Sequence, residues 1–150
     1  MPATLKNIAT AVVAVAMPGT KVLSAAQLMR KHHVGALVVV SADDGNRPIG
    51  IVTDRDLVLA VMAEGLDPAL FTVEDVMSFN LVTATPDMDA LDAASLMRSQ
   101  RLRRLVVTDE GGLLVGIASL EDVLALVAGE LAALAGAVLG ARDREVQERA

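Results

Sequence analysis

Gly50-Ile51-Val52-Thr53-Asp54-Arg55-Asp56 and Gly116-Ile117-Ala118-Ser119-Leu120-Glu121-Asp122 decide how this chain is read. In each, an apolar run enters a glycine, a hydroxyl residue follows three positions on, and an aspartate three positions after that. Behind the first aspartate come Leu57, Val58, Val61 and Met62, and behind the second Val123, Leu124 and Val127. That spacing predicts strand, turn and helix start. A hydroxyl at such a junction caps the helix, and an aspartate in its first turn can accept hydrogen bonds from something beyond the strand end.

Working outward, the doubling extends over most of the chain. Val15 to Val39 overlays Thr83 to Val107 at a constant offset of 68 positions, with Pro18/Pro86, Leu23/Leu91, Ala25/Ala93, Ala26/Ala94, Leu28/Leu96, Met29/Met97, Arg30/Arg98 and Leu37-Val38-Val39/Leu105-Val106-Val107 identical. Beyond the turn the offset falls to 66, because the second turn is two residues shorter. Gaps of this kind belong in Gly/Asp-rich turns.

One unit predicts a strand at 12–15, stopped by Met17-Pro18-Gly19, then a helix from Val22 to His33 with one apolar face. A strand at 36–40 follows, apolar throughout as suits a sheet covered on both faces. Ser41 to Pro48 is a turn, 49–53 pairs back, and a helix runs over 54–63. The second unit repeats this with strands at 81–84, 104–108 and 113–118 and helices at 88–100 and from 120. The expected divisions are repeat 1 at 8–64, a linker with a short capped helix at 65–76, repeat 2 at 77–130, and a C-terminal piece at 131–150. That last piece is an Ala/Leu helix interrupted by Gly136 and Gly140, ending in a charged tail. The fold class is α/β (α+β): two pseudo-twofold-related β-α-β-β-α repeats, neither able to cover its own sheet, docked through their sheets.

Composition narrows the function. Of 150 residues 53% are hydrophobic, so a core can be buried, while aromatics are 1%, which leaves no stacking platform for bases. A net charge of −6 opposes nucleic-acid binding. The lack of cysteine removes thiolate chemistry and fits a reducing, cytoplasmic setting. No uncharged apolar run reaches a membrane span, the best being 131–141, so no membrane partner is expected. Lys6 followed by the apolar run 8–16, ending Ala14-Val15-Ala16, has the outline of a targeting signal. The same residues also lead into the first repeat.

The Pro-initiated helices ending Ala-Ala-x-Leu-Met-Arg, the strands at Val34 to Val40 and Arg103 to Val107, and the two Gly-x-x-(Thr/Ser)-x-x-Asp ends together resemble a tandem pair of cystathionine-β-synthase (CBS) domains, the arrangement called a Bateman module. Val61 to Pro68 is similar to a bacterial linker between such domains. The resemblance spans about residues 8 to 128. It implies adenine nucleotide or adenosyl ligands (AMP, ADP or ATP, with NAD or S-adenosylmethionine as further candidates) in two clefts between the repeats, and no catalytic cofactor. By that likeness Asp56 and Asp122 accept from ribose hydroxyls, and Thr53 and Ser119 contact ribose or α-phosphate. Adenine lies against Val34, Gly35 and Ala36 beside Ser119/Asp122, and against Leu102, Arg103 and Arg104 beside Thr53/Asp56. Arg103, Arg104 and Arg55 are the available phosphate cations. It also implies a homodimer, packed helix to helix, acting on an effector protein that the sequence does not name.

Plainer readings stand beside these. The hydroxyl and aspartate pairs are also ordinary caps. Consecutive strand residues face opposite ways, so only one of Arg103 and Arg104 should reach a cleft. His32 and His33 point about 100° apart on a helix and suit its C-terminal dipole better than a metal. Asp87, Asp89 and Asp92 follow Pro86 at a helix start, where carboxylates are favoured without acid/base work. The sequence thus predicts a non-enzymatic regulatory sensor of adenine nucleotides. The alternative is a dimeric scaffold with degenerate, empty pockets, and a small nucleotide-processing enzyme is a third, less supported reading.

Overall fold

The computed structural model describes residues 3–11 and 14–150. Two three-stranded sheets form, one per repeat. The first contains β1 (Val15–Ala16), β2 (Ala36–Val40) and β3 (Pro48–Thr53), and the second β4 (Thr83–Ala84), β5 (Arg104–Thr108) and β6 (Leu114–Ser119). In each, the first strand pairs parallel and the third antiparallel to the central one, and the registers are related by the repeat: Val38 opposite Ile51, Val106 opposite Ile117. Part of the strand expected at 12–15 falls on Val12 and Val13, outside the described residues. β4 starts two residues later than expected, because Leu81 and Val82 line a cleft between the repeats.

Both central strands are buried on both faces along most of their length: β2 is apolar throughout, and β5 is apolar at Leu105, Val106 and Val107 between Arg104 and Thr108. Leu37, Val39 and Val52 face a core closed by α2 (Val22–His32) and α3 (Asp54–Leu57). Leu105, Val107 and Ala118 face the equivalent core under α5 (Ala90–Gln100). On their other sides Val38 and Val40 meet Val106 and Leu114, joining the sheets into one body. The longer first turn contributes here too: Asn46 donates through Nδ2 to the Leu114 carbonyl (3.0 Å) and accepts from the Leu114 amide (2.9 Å).

The two short helices before each repeat are exchanged. α1 (Leu5–Ile8) and α4 (Val73–Val76) carry matching capping boxes, Thr4 with Asn7 and Thr72 with Asp75. α1 docks on the second repeat, where Leu5 is fully buried beside Ala84, Ala93, Met97 and Leu105 and its amide donates to the Met88 carbonyl. α4 docks on the first, with Val73 fully buried and its amide bonded to the Thr20 carbonyl. Leu5 is therefore part of the second core, with Ile8 and Ala9 packed against it.

Two helices differ from expectation. The one expected over 54–63 is α3 followed by a π-helical turn at 58–62, with the Ala63 amide donating to the Val58 carbonyl (2.8 Å). Leu57 and Val61, four positions apart, both face the core. The C-terminal helix α6 (Leu120–Arg149) runs 30 residues without a break at Gly136 or Gly140. Glycine weakens a helix by about 1 kcal/mol relative to alanine and does not by itself end one. The expectation that nothing here matches a membrane span is corrected as well. An 18-residue stretch of α6 averages a hydropathy of 2.1 with at most two charged residues, long and apolar enough to cross a bilayer. Breaking the count at Glu130 hid it.

Candidate functional site between the repeats

At the end of β3, Thr53 turns the chain into α3 and caps it. Its Oγ1 accepts from the Asp56 amide (3.2 Å), while Asp56 Oδ2 accepts from the Thr53 amide (2.8 Å). Ser119 and Asp122 repeat this at the start of α6, at 3.1 and 2.8 Å. All four side chains are half-buried. The cap leaves the threonine hydroxyl hydrogen free, and among the described residues nothing donates to Asp56 Oδ1 or Asp122 Oδ1. An ionised carboxylate with an open oxygen is an acceptor for paired hydroxyls.

The glycine of each motif serves the backbone. Ile51 and Ser78 exchange two hydrogen bonds (3.1 and 2.9 Å), and a Cβ on Gly50 would lie 2.7 Å from the Ser78 carbonyl oxygen. Ile117 and Thr10 do the same at 3.0 and 2.9 Å, with Gly116 as close to the Thr10 carbonyl, 2.8 Å. Thr10 and Ser78 are 68 positions apart, so the crossing segment is part of the repeat, a relation the sequence reading missed because only a hydroxyl is shared there.

Where Ser78 crosses β3, a cavity of about 190 Å³ opens between the repeats. Ile51, Thr53 and Asp56 come from the first repeat, Ser78, Asn80, Leu81 and Val82 from the segment that follows α4, and Leu102, Arg104 and Val106 from the second. Tertiary structure thus brings the first motif to the strand start of the other repeat. Arg104 is half-buried and lines this cavity; Arg103, on the opposite side of β5, is exposed and ion-paired through Nη2 with Glu121 Oε1. The Glu121 carboxyl is held below the usual range by its own backbone amide at the helix start and by the Arg103 guanidinium. Arg55 is exposed on α3 and does not line the cavity.

The second cleft follows by the same construction. Arg104 is paired in register with Ser119 yet turns toward Thr53; Ala36 is paired in register with Thr53 and occupies the repeat-related place. Val34 packs against the first core, and Gly35 sits against the Asp54 carboxylate, 3.2 Å from where a Cβ would stand. At repeat-related positions the second repeat has Arg104 where the first has Ala36, so the surroundings of the two motifs differ in charge.

The remaining candidates take structural places. Asp89 Oδ1 caps α5 by accepting from the Leu91 amide (2.8 Å), and the Thr85 hydroxyl donates to Asp87, holding its carboxyl below the ordinary value. His33 ends α2 in a left-handed conformation (φ 54°). Among the described residues no cluster of three or more His, Asp or Glu is placed to hold a metal.

Two interlocked β-α-β-β-α units, with Thr53 and Asp56 of one and Arg104 of the other lining a single cleft, define a paired module. The chain belongs to the CBS-domain family, whose profile matches residues 5–63 and 73–129. It is 40% identical over 119 residues to the CBS domain-containing protein YhcV of Bacillus subtilis, covering 79% of this chain and 81% of that one. It is 37% identical over 107 residues to the uncharacterized protein MK0525 of Methanopyrus kandleri, covering 71% of this chain and 54% of that protein. Among solved structures, the hexameric CBS-CP12 protein from bloom-forming cyanobacteria aligns with a TM-score of 0.74 at 31% identity, covering 83% of this chain and 71% of that one. CBSX2 in complex with AMP aligns with a TM-score of 0.69 at 26% identity, covering 85% and 97%.

Proposed function

We propose that this chain is a regulatory module that binds an adenine nucleotide in the Thr53/Asp56 cleft and signals by changing how its repeats pack. One observation carries the reading. The open carboxylate oxygen of Asp56 and the guanidinium of Arg104, from different repeats, line the same cavity. The AMP complex of the similar CBSX2 supports adenine as the base. Asp56 accepts from the ribose hydroxyls, Leu102 and Ile51 supply apolar contact for the base, and Arg104 neutralises phosphate. At about 190 Å³ the cavity is smaller than the roughly 300 Å³ at which enclosed ligand sites begin, so the phosphates extend past its mouth.

Because the ligand touches both repeats, it favours the arrangement that brings Asp56 and Arg104 together, and its differential affinity drives the shift. The Ser119/Asp122 cleft, with Ala36 in place of the arginine, takes a ligand of lower charge or binds the same nucleotide more weakly. No residue of either cleft is assigned a catalytic role.

The chain also self-associates through its helices. An apolar groove of about 610 Å³ lies between α2 and α3, and its counterpart of about 330 Å³ lies between α5 and α6. Leu23 and Leu91, at repeat-related positions, are both exposed beside these grooves. The hexameric state of the similar CBS-CP12 protein supports association in this fold. Titration calorimetry with AMP, ADP, ATP, NAD and S-adenosylmethionine tests the ligand. Saturable heat with an adenine nucleotide, lost in Asp56→Ala, is expected.

A scaffold with empty clefts is the second reading, and the capping boxes favour it, because they account for Thr53, Asp56, Ser119 and Asp122 without a ligand. A melting temperature unmoved by all five compounds would select it.

A further inference from the structure

Beyond residue 129, where the family match ends, α6 continues for five turns with every residue exposed. Its apolar residues are not scattered. Leu124, Val127, Leu131, Leu134, Val138 and Ala141 follow one another at alternating steps of three and four, the spacing of a coiled-coil seam. The opposite side is mostly alanine and glycine. We propose that this seam packs against the same seam of a second copy of the chain, the two helices antiparallel.

Three observations select that occupant. The first is length. Val123 is buried in the module, so the apolar part that is free to leave it, residues 128–141, extends only about 21 Å at 1.5 Å per residue. A bilayer core is about 30 Å thick, which the projecting part cannot span without pulling Val123 from its core. The second is charge. In a parallel pair Glu145 and Glu148, the next two seam positions, would each meet their own copy. In an antiparallel pair with Leu134 opposite Val138 of the second copy, Glu130 faces the turn at 142–144, which carries Arg142 and Arg144, at both ends of the overlap. The third is continuity. Val127 and Leu131 line the groove beside α5 and also belong to the seam, so a helix laid along the seam is guided by a surface already shaped. Two and a half heptads are marginal alone, but tethering to folded modules makes the contact effective at low concentration.

The proposal deepens the self-association part of the reading above and is independent of nucleotide binding. Sedimentation equilibrium of the full chain tests it, with AMP titration of every variant as a check on folding. Leu134 and Leu139 are about equally exposed, 64% and 59%, on opposite sides of the helix. Leu134→Glu is expected to halve the assembly mass, and Leu139→Glu to leave it unchanged. Glu130→Arg should weaken association at least tenfold, and adding Arg144→Glu should restore it. Equal behaviour of the two leucine variants, or a wild-type chain that floats with phosphatidylcholine vesicles, overturns the proposal. A mass unchanged in Leu134→Glu while AMP still binds also overturns it and leaves the nucleotide reading standing.

Discussion

The Gly50 α-carbon faces the Ser78 carbonyl so closely that a methyl group there would stand 2.7 Å from the oxygen. Ser78 cannot retreat without giving up its two hydrogen bonds to Ile51, and those bonds hold the floor of the cleft. Gly50→Ala should therefore destabilise the fold by about 1–3 kcal/mol, the cost of overpacking a tight site. Chemical denaturation measures it. Gly136→Ala, in open helix, should stabilise slightly.

Asp56 has two functions that a substitution can separate. Asp56→Asn keeps an oxygen for the Thr53 amide and so keeps the cap, while it loses the charge that two ribose hydroxyls share. We expect near-native melting with AMP affinity at least tenfold weaker. Asp56→Ala should weaken binding as much and also cost about 1 kcal/mol for the lost cap. Calorimetry and thermal melting read the two effects separately. If both variants bind AMP as the native chain does, the cleft assignment is wrong.

The arginines make a paired control. Arg104→Ala should weaken AMP and ATP while leaving adenosine nearly unaffected, because the guanidinium meets only phosphate. Arg103→Ala should change neither, since that side chain faces solvent beside Glu121. Parallel titrations of the three ligands decide it.

Exchange of the short helices gives a stability prediction with an address. Leu5→Ala removes a fully buried side chain from the second repeat's core and should cost about 2–5 kcal/mol. Amide exchange should accelerate first at 84–107, although the substitution lies at the other end of the chain. Val73→Ala should loosen 16–52 instead, by the same exchange of partners.

Glu121 supplies a pH test. Its carboxyl is depressed in the folded state by its own amide and by Arg103. The stabilisation this gives is present above the unfolded value, about 4.3, and is lost as pH falls through the lower folded value. Carboxyl NMR should show Glu121 titrating below the ordinary glutamate range, and Arg103→Ala should raise it part of the way.

The sequence carried the doubling, the strand and helix order and the two hydroxyl–aspartate pairs. These are local patterns: a strand buried on both faces is apolar along its middle, and a helix start prefers the same few residues wherever it occurs. β2 and β5 lie where the apolar runs placed them. Exchange of α1 and α4 was hidden, because Leu5 and Val73 read as ordinary apolar residues and nothing local says which core each enters. Alternation showed that one of Arg103 and Arg104 faces inward, and the resemblance set that stretch beside Thr53 and Asp56 of the other repeat, but only the packed sheets decided that the inward one is Arg104. Contacts between segments 48 positions apart follow from how two surfaces dock, and docking depends on the summed shape of both cores, which no single stretch of chain contains.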